Sequence, residues 1–126
     1  MTDPIVLVIE DDPTILQLLE LNFEMEGFSV LTAEDGKQGL ERARVGAPDV
    51  IVSDVILPNI SGLEMLVALK ESSATRDIPV ILLSAKAQGA DIRSGLDAGA
   101  DDYLTKPFEP LDLIDRVNSL LARRPR

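Results

Sequence analysis

Six polar side chains able to do chemistry stand at the ends of apolar runs in this 126-residue sequence. Glu10, Asp11 and Asp12 follow the run Ile5–Ile9, Asp54 follows residues 50–53, Ser84 lies near the end of 78–85, and Lys106 follows 103–105. Carboxylates brought together repel one another unless a hard cation neutralises them, and an oxygen-only ligand set of few members suits Mg²⁺, which keeps several of its waters. A lysine and a hydroxyl beside that cation are the parts that hold a transferring phosphoryl group. A remaining carboxylate can then act as nucleophile. The chain has no histidine, so the commonest general base and metal ligand is missing. It has no cysteine either, which excludes disulfide scaffolds, zinc–thiolate clusters and thiol catalysis.

These ends must be brought together by the elements that carry them. The run Ile5–Ile9 is apolar and largely β-branched without alternation, the pattern of a strand covered on both faces in a parallel sheet. Asp12 as N-cap and Pro13 at the first helical position open a helix whose Ile15, Leu18, Leu19 and Phe23 follow helical spacing up to Gly27. Asp12 therefore reads as a cap before it reads as a site residue. Residues 28–32 form a second strand, 36 to about 45 a second helix, and 50–53 a third strand that ends at Asp54.

Pro58 and Asn59 mark a turn, after which Ser61 and Glu64 stand at capping-box spacing ahead of Leu63, Leu66 and Val67. Residues 78–85 read as a fourth buried strand. A helix over 87–98, weakened by Gly95 and by few large apolar residues, stops at Gly99; 103–105 is a short fifth strand running into Lys106-Pro107. Leu113, Ile114, Val117, Leu120 and Leu121 make one stripe of a last helix, with Arg123 and Arg124 at its negative end. The alternation predicts an α/β fold, a doubly wound five-stranded parallel sheet with five helices on both faces. In such a sheet, ligands bind at the carboxyl ends of the strands where strand order reverses, and the polar groups above collect at that rim.

Length and patterning fit one domain over residues 1–126, with no internal linker, repeat or low-complexity segment. The formal net charge of −10 would repel a polyphosphate backbone, so direct nucleic-acid binding by this domain is not expected. No apolar run reaches membrane-spanning length, and Met1 to Pro4 lacks the basic start of a secretory signal. The expectation is a cytoplasmic protein without membrane contact.

Four motifs in order carry a resemblance: Val-Ile-Glu-Asp-Asp at 8–12, Ser-Asp-Val-Ile-Leu-Pro-Asn at 53–59, Leu-Leu-Ser-Ala at 82–85, and Gly-Ala-Asp-Asp-Tyr-Leu-Thr-Lys-Pro-Phe at 99–108. Over essentially its whole length the chain resembles the receiver domain of bacterial response regulators, the phosphoacceptor module of two-component signalling. The resemblance implies the flavodoxin-like strand order 2-1-3-4-5. It also implies that Asp54 is the phosphoacceptor, taking a phosphoryl group from the phosphohistidine of a sensor histidine kinase or a histidine phosphotransfer protein. Asp11 and Asp54 would then ligate Mg²⁺ directly, Glu10 through water, and Ile56 through its backbone carbonyl. Ser84 and Lys106 would grip the phosphoryl oxygens, with a cis bond between Lys106 and Pro107.

Tyr103 resembles the family's switch aromatic and Ser84 its partner, with helix four, strand five and helix five as the output face. On phosphorylation the Ser84 hydroxyl would move toward the phosphoryl group and the Tyr103 ring would turn inward. Lys86, Arg93, Asp101, Asp102, Glu109 and Arg116 on that face are spaced for intersubunit ion pairs in a phosphorylation-dependent homodimer. Serine at 84 stands where threonine is commoner, keeping the hydroxyl. Ile56 and Lys86 occupy positions that in the family tune hydrolysis of the phosphoaspartate, and an apolar Ile56 cannot orient an attacking water. Such a protein would be a signalling switch, catalysing only its own phosphorylation and dephosphorylation.

Three other functions compete. A flavodoxin-like electron carrier shares the sheet order, but Glu10 to Asp12 would repel a flavin phosphate, and only four aromatic residues exist to stack a flavin ring. A phosphatase with an aspartate nucleophile lacks its Asp-x-Asp motif here. A receiver-like scaffold that takes no phosphate is disfavoured because every phosphorylation position is filled.

Overall fold

The computed structural model describes residues 3–85 and 89–123. Its elements alternate along the chain: β1 (Ile5–Ile9), α1 (Pro13–Met25), β2 (Ser29–Ala33), α2 (Gly36–Gly46), β3 (Val50–Asp54), α3 (Gly62–Glu71), β4 (Val80–Ser84), α4 (Gly89–Asp97), β5 (Asp102–Thr105) and α5 (Pro110–Arg123). All strand pairs are parallel, in the order β2-β1-β3-β4-β5. The order reverses between β1 and β3, so the rim after Ile9 and Asp54 is the switch point of the sheet.

The unbroken apolar runs follow from burial on both faces. Val6, Val8, Val50, Val52, Ile81 and Leu83 pack on one side against Leu19 and Phe23 of α1 and Leu113 and Val117 of α5. Leu7, Ile9, Ile51, Val80 and Leu82 pack on the other, against Ala43 of α2 and Met65, Leu66 and Leu69 of α3. Each fully buried Val, Leu or Ile contributes roughly 1.5–3 kcal/mol relative to exposure, enough to fix which residues face which layer.

The helix starts match their sequence signals. The Asp12 carboxylate accepts from the amides of Thr14 at 2.9 Å and Ile15 at 3.4 Å, ahead of Pro13. Ser61 and Glu64 form a reciprocal capping box, with bonds of 3.1 and 3.2 Å. Three strand starts differ from expectation. β2 begins one residue later than predicted because Phe28 ends the α1 turn, its amide bonded to the Phe23 carbonyl and its ring edge-on to Phe23 at 5.1 Å. β4 begins at Val80 rather than 78, since the Ile78 amide is bonded to the Thr75 carbonyl while the Val80 amide is bonded to the Asp101 carboxylate. β5 begins at Asp102, one residue earlier than predicted, where Asp102 pairs with Ile81 of β4.

Within the described part of α4 only Gly95 is buried, in keeping with a weakly anchored helix. The expected start at Ala87 lies outside the described residues, as do Lys86, Arg124 and Arg126. No helix among the described residues is long and apolar enough to cross a membrane.

Candidate functional site

Four strand ends meet at the switch-point rim. Asp54 is the last residue of β3, one residue beyond the Ser53 that pairs with Ile9, so its side chain lies next to those that follow β1. Glu10 continues β1, its amide bonded to the Ala33 carbonyl, which holds the residue in register past the strand. Ser84 closes β4, opposite Thr105. The Lys106 amide donates to the Ser84 carbonyl at 2.8 Å, tying the residue after β5 to the end of β4. The Lys106–Pro107 bond is cis, as expected.

The Lys106 ammonium donates to Glu10 Oε1 and to Asp54 Oδ2, both at 2.8 Å. The second oxygen of Glu10 accepts from the Asp12 amide at 3.2 Å, and that of Asp54 from the Ile56 amide at 3.2 Å. Glu10, Asp11 and Asp54 each present a carboxylate oxygen, and these lie within 4.8 Å of one another. Glu10 is only 1% exposed, Asp54 is 8% exposed, and Asp11 opens to solvent.

Burial pushes the Glu10 carboxyl above the usual range, and the proximity of Asp54 adds to this; bonds from Lys106 and the Asp12 amide offset only part of the rise. Burial alone would lower the Lys106 ammonium, but its bonds to Asp54 and Glu10 outweigh that cost and raise it. The ion pairs thus hold the lysine charged, while Glu10 bears the cost of sharing a buried site with Asp54.

The donor set fits Mg²⁺. Three carboxylates and one ammonium leave a formal charge of −3 + 1 = −2, all ligand atoms are oxygens, and the exposed Asp11 leaves one side open to water.

Asp12 does not join this cluster; it caps α1. Ser84 is fully buried at the end of β4. The Ile56 side chain is 59% exposed beside the acceptor loop, and its amide donates to Asp54. Tyr103 is buried in the core layer shared with α3, and a Cβ at Gly95 would stand 2.9 Å from its ring. The ring expected to turn inward on phosphorylation therefore already packs inside.

On the expected output face, Arg116 pairs within the chain with Asp102 at 3.0 Å and Asp112 at 3.7 Å. Asp101, spaced as an intersubunit partner, instead accepts from the Val80 amide at 2.8 Å. The direct Glu10–Lys106 pair was not legible in the sequence, where the two residues stand far apart and only their shared position at strand ends connects them.

The family model of the response regulator receiver domain matches residues 6–118. The DNA-binding dual master transcriptional regulator RpaA of Synechocystis sp. is 43% identical over 123 residues, covering 98% of this chain and 51% of the relative. The chain thus spans about half the length of the curated relatives it matches. The receiver domain of a Francisella response regulator superposes with a TM-score of 0.91 at 40% identity, over 96% of this chain and 98% of that one. The receiver domain of a sensor histidine kinase from Pseudomonas aeruginosa, solved with a magnesium ion coordinated in its active-site cleft, superposes at 0.88 with 28% identity, over 96% and 99% of the two chains. The chain belongs to the response regulator receiver domain family of two-component signalling.

Proposed function

We propose that Asp54 accepts a phosphoryl group from the phosphohistidine of a sensor histidine kinase or a histidine phosphotransfer protein. The observation that carries this reading is the Lys106 ammonium, 2.8 Å from Asp54 Oδ2 within a cluster of three carboxylates. An Asp54 carboxylate oxygen attacks phosphorus, the new P–O bond forms an acyl phosphate, and the P–N bond breaks, returning its electron pair to the imidazole. Hydrolysis later returns the carboxylate and inorganic phosphate, so the chain catalyses only its own phosphorylation and dephosphorylation.

The Ile56 amide fixes Asp54 Oδ1, leaving Oδ2 and its ammonium partner to face the incoming group. Lys106 exchanges its Asp54 contact for a phosphoryl oxygen, and its bond to buried Glu10 keeps it aimed there. Ser84 supplies a hydroxyl to a second phosphoryl oxygen. Glu10, Asp11, Asp54 and the Ile56 carbonyl would hold Mg²⁺, which would supply positive charge opposite the phosphoryl oxygens.

The output is a rearrangement of α4, β5 and α5 that presents a protein-binding face and supports a homodimer, without direct nucleic-acid contact by this domain. The location consistent with these partners is the cytoplasm. Intact-mass analysis after treatment with acetyl phosphate and Mg²⁺ should show one added phosphoryl group. Equal labelling of Asp54→Asn would reject Asp54 as acceptor.

A further inference from the structure

α1 and α5 open on proline, the residue suited to a first helical turn. α2 and α3 open instead on Gly36 and Gly62, behind the caps Asp35 and Ser61. Among the described residues only Gly27 and Gly99 have a glycine's positive φ, so backbone conformation does not call for glycine at 36 or 62. Glycine is otherwise a poor helix residue.

What the two positions share is contact with the segment 55–61, which leads from Asp54 into α3. A Cβ at Gly62 would collide with the Asp54 carbonyl oxygen and stand 2.9 Å from Val55 Cα. A Cβ at Gly36 would collide with the Ile60 carbonyl oxygen and stand 2.6 Å from Ile60 Cγ1. The Gly62 amide also donates to the Val55 carbonyl at 2.8 Å, and the Ser53 hydroxyl donates to the Asp54 carbonyl at 3.0 Å. Between these fixed ends lies Ile56, whose amide holds Asp54 Oδ1.

We propose that Gly36 and Gly62 are positioning residues for phosphoryl transfer: their missing side chains let the first turns of α2 and α3 lie on the 55–61 main chain and so hold the Ile56 backbone beside the Asp54 carboxylate. The inference rests on Asp54 being the acceptor. Neither glycine touches the reacting atoms. The obstacles are main-chain atoms that cannot rotate away, so an added methyl must move the segment or the helix in a densely packed interior.

The test uses the full chain with Gly36→Ala and Gly62→Ala. Gly46→Ala is the structural control, since among the described residues its Cβ would meet only the flexible end of Leu31, at 2.5 Å; Gly89→Ala would meet none of them within 4 Å. Both positioning variants should slow labelling of Asp54 by acetyl phosphate, on the order of 10- to 100-fold. They should also weaken Mg²⁺ binding in an NMR titration and displace the Ile56 amide resonance. Gly46→Ala, compared at equal loss of melting temperature, should keep the parent rate. Ile60→Ala removes the side chain resting on Gly36 without adding an atom; it should displace the Ile56 amide likewise, and it decides the matter if the glycine variants do not fold. An unmoved Ile56 amide with parent rate, or an equal loss of rate in Gly46→Ala, overturns the positioning role and leaves Asp54 as acceptor. A parent chain that takes no phosphate on Asp54 overturns both.

Discussion

The ammonium of Lys106 bridges Asp54 and Glu10 at 2.8 Å each, so the carboxylate proposed to receive the phosphoryl group shares its counter-charge with an almost fully buried acid. Removing the lysine leaves two carboxylates facing each other without compensation. Lys106→Met should therefore destabilise the metal-free protein by about 2 kcal/mol, below the range for fully buried pairs because the lysine is partly exposed. Adding Glu10→Gln should recover part of that loss, since the buried charge is gone. Urea unfolding of the two single variants and the double variant without Mg²⁺ measures the coupling; strict additivity would show that the pair contributes nothing.

The raised Glu10 carboxyl sets a pH dependence with two signs. Metal binding needs the carboxylate, so Mg²⁺ affinity should begin to fall while the pH is still above 4.5, the ordinary value. Without metal, a carboxyl raised in the native state binds more protons folded than unfolded. Its contribution to stability is fully present below 4.5 and is lost as pH rises through the raised native value. Lys106 is likewise raised, so its contribution is present below 10.5 and is lost as pH rises through its native value. Calorimetric Mg²⁺ titrations between pH 4.5 and 7 check the first sign; unchanged affinity across that window would contradict the assignment of Glu10 to the metal site.

Ile56 should make the phosphoaspartate comparatively long-lived, because its exposed apolar side chain stands beside the acceptor loop and cannot orient water for in-line attack. Ile56→Asn or Ile56→Glu should shorten the lifetime with little change in stability, as the side chain is 59% exposed. Decay of the phosphorylated species followed by intact mass gives the lifetime. Equal decay in all three proteins would remove Ile56 from the control of hydrolysis.

The sheet was readable from the sequence because burial on both faces leaves β1, β3 and β4 as unbroken apolar runs, and because Asp12, Ser61 and Glu64 mark helix starts by chemistry local to the chain. The rim residues followed, since parallel strands place their carboxyl ends together. What local pattern could not supply were contacts between distant segments. The start of β2 depends on Phe28 packing against Phe23, Asp102 finds Arg116 only after β5 and α5 pack together, and the need for glycine at 36 and 62 comes from the segment lying over them.

The output face gives the last prediction. α4 fully buries only Gly95, which rests against the Tyr103 ring and Leu82, and adds the half-buried Ile92 against the same core, so few large side chains anchor it. Such a helix can shift at little cost. Tyr103 is already largely buried, beside a pocket of about 80 Å³ lined by Val55, Leu63, Asp91 and Ser94, so little further burial of the ring is left for phosphorylation to bring about. The expected response to phosphorylation is instead a displacement of α4 over that ring, begun when the Ser84 hydroxyl moves toward the phosphoryl oxygens. For dimerisation, the Arg116–Asp102 pair at 3.0 Å must open or be shared across the interface, and because both groups are partly exposed this costs little. Amide spectra with and without a beryllofluoride phosphoryl mimic should show shifts along 89–105, and sedimentation should show association under the same conditions. Gly95→Ala, which inserts a methyl between α4 and Tyr103, should produce part of the α4 shifts without the mimic. Mimic-induced shifts confined to the neighbours of Asp54, with α4 unchanged, would show that the phosphoryl group does not act through this helix.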